Sequence, residues 1–282
     1  MEAQKPNTPQ KPVAAKAKAQ GEHKVRGIKN AFMVIICCAV VAVCLYKFVF
    51  GDPSHFDPAT GHPLPGDFFG TIYMGGVIVP VLQTLFLTVI VLSVERWIAL
   101  SSAKGKGSIS KFVAEVKKCL VKNDIEGAQK LCAKQQGSVA AVVSSALLKY
   151  KEMDANTMLT KEQKLTSLQQ AVEEATALEM PALQQNLPIV ATLTTLGTLV
   201  GLLGTVIGMI RSFAALGAGG GSVDSMALSV GISEALINTA FGIATGALAV
   251  ISYNFYTNKI DNLTYAIDEI GFSIVQTFAA TH

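Results

Sequence analysis

Glu234 is the one acidic residue within the last two long apolar stretches of the chain, and Asn238, Thr245 and Ser252 follow it at i+4, i+11 and i+18. At 100° per residue these four side chains share one helix face. A carboxylate in hydrocarbon is costly enough to be a functional hypothesis by default, and an amide and two hydroxyls below it suit a hydrated pathway. A second reading stands beside it: Glu234 lies near one end of its stretch, reaches headgroup water and only caps or pairs, with Arg211 as the candidate partner for an ion pair. Upstream, Gly197, Gly201, Gly204 and Gly208 repeat at spacings of 4, 3 and 4. They stay within about 60° of one another on a helix, a stripe that lets another helix come close. Thr194, Thr198 and Thr205 form a neighbouring stripe. Each hydroxyl either bonds the carbonyl one turn back, or the three together make a polar wall. With its one carboxylate set toward an end, the pair of stretches has no acid at the bilayer midplane to carry a proton across, so another component must supply it.

Other chemistries find little support. No phosphate-binding loop, CxxC pair, HExxH or nucleophile elbow occurs, and the Gly-rich run at 217–221 lacks a following Lys and Ser or Thr. His55, Asp57, His62 and Asp67 cluster among prolines without the fixed spacing of a metal knuckle. The expectation is a protein that is not an enzyme, with no metal, cofactor or nucleic-acid partner. Cys37, Cys38 and Cys44 fall in an apolar stretch and Cys119 and Cys132 in a polar one, which predicts no structural disulfide.

The elements that must position these residues cross a membrane. Of 282 residues, 50% are hydrophobic and 15% charged, against about a quarter charged in soluble domains. Residues 68–94, 180–210 and 235–258 are uncharged, and 31–50 carry only Lys47; each run reaches the roughly 20 residues a spanning helix needs. The fold expected is all-α: four transmembrane helices, with long helices extending into a cytosolic helical domain. Seven Lys or Arg fall in residues 1–30 and seven in 95–122, with none in 51–70, which puts both termini on the cytoplasmic side. A secretory signal peptide does not fit, because no small-x-small cleavage site follows Phe50.

The expected organisation is a disordered basic cytoplasmic tail over 1–30, able to touch anionic lipid; spans at 31–50, 68–97, 181–212 and 230–257; outer segments at 51–67 and 213–229; a cytosolic helical domain at 98–180; and a cytoplasmic C-terminal helix at 258–282. Ser108 and Asp124 are candidate caps of two helices in that domain, and a third runs over about 138–153. A helix starting near Thr160 is expected to continue unbroken into the third span, less than straight because of Pro181 and Pro188.

Gly201 to Phe213, reading GLLGTVIGMIRSF, is similar to the third-span signature of the MotA/TolQ/ExbB proton-channel family. Gly231 to Gly246, reading GISEALINTAFGIATG, followed by Tyr253 and Asn254, resembles the next span of its ExbB and TolQ branches. Val94 to Trp97, reading VERW, is similar to the family's first common helix. The resemblance covers roughly residues 68–260. It implies a bacterial inner-membrane subunit that forms a pentameric ring around a smaller single-span partner, ExbD or TolR, whose intramembrane Asp carries the proton. The work is passed to TonB, which energises outer-membrane receptors. Carried over, the ring-lining threonines are Thr205 and Thr239, the family's glutamate is Glu234, and Asn238 joins the proton pathway. Thr239 lies about 140° around an ideal helix from Glu234, so the threonines are assigned to the partner carboxylate and Glu234 to a point of proton access or a subunit interface. The alternatives are a TolQ-like subunit of the Tol envelope system, a MotA-like stator and, in a different class, a non-conducting scaffold whose glycines only pack helices. The extra N-terminal span has no counterpart in the common ExbB pattern.

Overall fold

The computed structural model describes residues 30–59, 61–218 and 225–281; the expected disordered tail and the centre of the Gly-rich turn lie outside them. All named elements among the described residues are helices. Four stretches are long and apolar enough to cross a membrane, Ala31–Phe50, Ile78–Val121, Leu187–Ala214 and Leu228–Thr281, and the chain is an all-α membrane protein.

The first span is α1 (Ala31–Cys44), prolonged by a π-helical turn over Leu45–Phe50. The second departs from the single helix expected over 68–97. A short α2 (Phe68–Tyr73) ends in a turn through Gly75 and Gly76, and α3 (Ile78–Lys104) begins after it. Gly76 takes φ 71, which a side chain disfavours and glycine accepts, so the two adjacent glycines break the apolar run.

Beyond the second span, α4 (Ile109–Val121), α5 (Ile125–Gln135) and α6 (Gly137–Ala155) form the helical domain. Asp124 caps α5 through the Gly127 N–H at 2.8 Å, and α7 (Lys161–Gln184) opens on a reciprocal capping box between Thr160 and Gln163. The chain then runs through α8 (Leu187–Ala218) and α9 (Ser225–Thr281). Span four and the C-terminal helix are one continuous element, because no proline interrupts it and its apolar stripe passes from lipid to domain without a gap. Ile260, Leu263, Ile267, Ile270, Ile274 and Phe278 are buried in one core with Leu120, Leu147 and Tyr150. Burying each such side chain contributes roughly 1.5–3 kcal/mol, which docks the domain on the α9 extension. Trp97 and Phe255 stack at 5.8 Å with Lys259 Nζ over both rings, at 4.5 and 4.7 Å, an aromatic and cationic pairing suited to a headgroup layer.

The unbroken helix expected from Thr160 into the third span is instead interrupted at Gln185 and Asn186. Pro188 lacks the N–H that would reach the Gln184 carbonyl, and its ring crowds that carbonyl; Asn186 absorbs the break at φ 62. Two charged residues brace it. Arg96, 0% exposed, forks onto Glu95 at 2.6 and 2.5 Å and donates to the Leu183 carbonyl at 3.4 Å. The Asn186 amide donates to Glu95 at 3.4 Å. Helix ends leave carbonyls without intrahelical partners, and here a buried guanidinium takes one of them.

Candidate functional site

Helices α8 and α9 pack along the glycine stripe. A side chain begun at Gly201 would meet the Gly242 Cα at 2.8 Å, one at Gly204 the Asn238 Cβ at 2.5 Å, and one at Gly208 the Ala235 Cβ at 3.0 Å. At Gly197 it would meet Thr245 Cγ2 at 2.9 Å. All four glycines therefore act within one chain, letting the two antiparallel helices touch nearly backbone to backbone. The Gly204–Asn238 contact puts Thr205 and Thr239, one residue beyond each, on the same level of the pair.

The threonine hydroxyls of α8 return to their own helix. Thr194 donates to Ala191, Thr198 to Thr194 and Thr205 to Leu202, at 2.6, 3.4 and 2.5 Å. The polar wall is thus a row of satisfied hydroxyls. Thr239 differs: its Oγ1 is buried and has no hydrogen-bond partner. Thr205 borders an open apolar hollow on the outside of the chain with Val206, Met209, Ile210 and Phe213.

Glu234 is 8% exposed and accepts from Arg211 Nη1 at 2.7 Å; the Arg211 side chain is 53% exposed. Both meet the backbone turn in the second span. A side chain begun at Gly76 would lie 2.5 Å from Glu234 Oε1 and 3.1 Å from Arg211 Nη1. One turn along α9 the fully buried Asn238 donates its amide to the Gly75 carbonyl at 3.1 Å, while its Oδ1 has no partner. Glu234 and Asn238 therefore face the second span of the same chain. Thr245 and Ser252 continue the buried line, the Thr245 hydroxyl bonding Phe241 at 2.8 Å. The group forms a polar contact within the chain, with Glu234 and Asn238 buried and Arg211 half exposed, at the end of the bundle that carries residues 51–67, hereafter the loop end.

Residues 138–269, just under half of the chain, match the model of the MotA/TolQ/ExbB proton channel family. This stretch is a MotA/TolQ/ExbB family segment. A putative biopolymer transport protein ExbB homolog of Methanothermobacter thermautotrophicus is 25% identical over 201 residues, 70% of this chain and 66% of its own. Biopolymer transport protein ExbB of Xanthomonas campestris pv. campestris is 34% identical over 110 residues, 39% of this chain and 43% of its own. Tol-Pal system protein TolQ of Haemophilus influenzae is 34% identical over 83 residues, 29% of this chain and 36% of its own. The chain thus spans from about a third to just under two thirds of these relatives' lengths.

The family segment holds Glu234, Arg211, Asn238, both threonines and the glycine stripe, but begins after the first two spans. The Gly75–Gly76 turn that receives Glu234 lies outside it, and sequence reasoning missed the turn. Its signal was present as two adjacent glycines inside an otherwise apolar run. Also missed was the Glu95–Arg96 brace: in the sequence the two residues stand out only within the VERW stretch, yet both side chains are buried.

The histidines and acids of 51–67 serve the loop itself. His55 Nδ1 lies 2.8 Å from Asp67 Oδ2, and Asp67 caps α2 through the Gly70 N–H at 2.8 Å. The Gly70 N–H and then the His55 ring hold the Asp67 carboxyl below its ordinary range. In the helical domain, burial pushes the Cys132 thiol up to about 12, so it is protonated and unreactive at neutral pH.

Proposed function

We propose that this chain is an ExbB-like subunit of an ion-driven motor in a bacterial inner membrane, with both termini in the cytoplasm as the Lys and Arg distribution suggests. In this reading copies of the chain form a pentameric ring around an ExbD-like single-span partner with an intramembrane Asp, and proton flow does work on a TonB-like protein for outer-membrane nutrient import. The observation that carries it is the Glu234 carboxylate, 8% exposed on a membrane-length helix inside the family segment, with Arg211 at 2.7 Å as counter-charge.

That pairing argues for a division of labour. Glu234 is held by Arg211 at 2.7 Å beside the Gly76 turn, near the loop end of its span and away from the midplane that a transported proton must cross. Glu234 then belongs to proton access at the loop end, and the transported proton rides on the partner's acid. Thr239 lies five residues farther along α9, about 7.5 Å deeper at 1.5 Å per residue. Its unpartnered Oγ1 and the neighbouring Thr205 supply hydroxyls at that depth, and the hollow beside Thr205 gives the partner helix an apolar seat.

The test uses Thr205→Val, which keeps the β-branched shape and deletes the hydroxyl. Intramembrane side-chain hydrogen bonds are worth about 0.6 kcal/mol on average and up to ~2, too little to dissolve a ring of long helices. Each ~1.4 kcal/mol added to a barrier slows a step tenfold. The Val variant should co-purify with its single-span partner at normal abundance yet lose most proton-motive-force-dependent uptake, while Thr205→Ser retains much of it. Thr195, an exposed residue bonded to its own helix at 3.2 Å, is the control, and its Val variant should be nearly silent. Normal uptake by Thr205→Val at matched protein level would overturn the reading. Loss of envelope constriction with intact uptake would move it to the Tol system.

A further inference from the structure

The first span and its loop lie outside the family segment, yet an unbroken series of contacts joins them to Glu234. Tyr46, in the π-helical turn that ends the first span, stacks on Tyr73 with ring centroids 4.7 Å apart. Its hydroxyl donates to the Tyr73 carbonyl at 3.1 Å. That same carbonyl accepts from the Gly76 N–H at 3.2 Å, and the Gly76 backbone is where the Glu234 and Arg211 head groups rest. Three links therefore separate the first span from the carboxylate.

The loop holds this series in place. Phe56 meets Tyr73 edge-on at 5.4 Å, and Phe50 stacks on Phe69 at 5.6 Å. The Leu64 N–H bonds the His55 carbonyl at 3.0 Å, the Asp57 N–H bonds the His62 carbonyl at 2.8 Å, and His55 meets Asp67 at 2.8 Å. Gly51 lets the chain leave the first span against Tyr73, for a side chain there would come within 2.7 Å of the Tyr73 ring and 2.9 Å of the Lys47 carbonyl. An apolar helix needs none of this to remain in a bilayer. Aromatic stacking combined with a half-buried hydroxyl bond instead fixes one geometry.

We propose that the first span and its loop act as a built-in cover that positions the Glu234 carboxylate and limits access to it from the loop end. Tyr46 and Tyr73 are positioning residues: Tyr46 holds the Tyr73 carbonyl, that carbonyl holds the Gly76 turn, and the turn sets where the Glu234–Arg211 pair can sit. The part played by the carboxylate rests on the function proposed above; its placement does not.

The experiment measures modification of Glu234 by a hydrophobic carbodiimide, read at the peptide level by mass spectrometry on the full chain in lipid nanodiscs at one fixed pH. A paired and enclosed carboxylate reacts slowly. Tyr46→Ala should make Glu234 react severalfold faster, and Tyr46→Phe, which keeps the stack and loses only the hydroxyl, should fall between. Phe48→Ala, in the same turn but 77% exposed, should match the parent. Parent-like labelling of Glu234 in Tyr46→Ala would overturn the proposal. If that variant does not accumulate, parent-like labelling in Tyr46→Phe decides against it in the same way. Labelling needs neither partner nor uptake, so a Glu234→Gln chain with full uptake would end the proton-access reading and leave the cover standing.

Discussion

The Tyr256 hydroxyl donates to the Ser93 carbonyl at 2.5 Å, joining residues 163 apart in sequence. The bond from Asn238 to Gly75 near the other end of the same two spans has the same separation, 163. Spans two and four therefore run parallel and in register, tied near each end by one polar side chain reaching a backbone carbonyl. Tyr256→Phe removes the inner tie without changing shape. A loss of about 0.6 kcal/mol, and no more than ~2, is expected in thermal unfolding of the purified protein. A larger loss would mean that the hydroxyl also holds something else.

The turn at Gly76 combines a left-handed backbone, φ 71, with the nearby Glu234 and Arg211 head groups. Gly76→Ala should cost about 1–2 kcal/mol in backbone strain and also displace the ion pair. Gly66→Ala separates the two effects, because Gly66 has φ 84 and open space around it. Thermal unfolding should show Gly66→Ala losing the strain alone and Gly76→Ala losing more. Equal losses would show that the carboxylate yields without cost.

Arg96 is fully buried and satisfied by Glu95 and the Leu183 carbonyl. Arg96→Leu strands a buried carboxylate and should cost about 3–5 kcal/mol. The double variant Glu95→Leu, Arg96→Met removes both charges and should recover much of that, as replacement of a whole buried pair often does. Limited proteolysis near Asn186 is the second measurement: cleavage there should rise in the single variant and subside in the double one.

Asp67 gives the loop a pH dependence of known sign. Its carboxyl is held low, first by the Gly70 N–H and then by His55, so the stabilisation it provides is complete above the ordinary carboxylate value of about 3.9. It is lost as pH falls through the lower folded value. Hydrogen-exchange protection of the Gly70 amide, corrected for intrinsic rates, should fall on acidification below that point. Asp67→Asn retains an acceptor for the cap and should flatten the dependence.

Ser108, a candidate cap of α4, precedes that helix without a side-chain cap bond; otherwise the sequence by itself determined four membrane-length helices, the helix capped by Asp124, and the glycine and threonine stripes. These follow from length, periodicity and local capping, which need only neighbouring residues. It also placed Glu234 and Arg211 as possible partners, because both fall near the same end of adjacent spans. Tertiary structure decided what each polar group faces. Asn238 and Glu234 could equally have lined a path along α9; packing on Gly75 and Gly76 turns them toward the second span. The break at Asn186 was hidden for the same reason. Pro181 sits inside α7 while Pro188 accompanies a break, and Arg96 and Glu95, some ninety residues earlier in the chain, take up the Leu183 carbonyl and the Asn186 amide beside that break. A helix's face can be read from its own spacing, but the partner of a buried polar group is set by which distant backbone comes within hydrogen-bond reach, and that is a property of the packed chain.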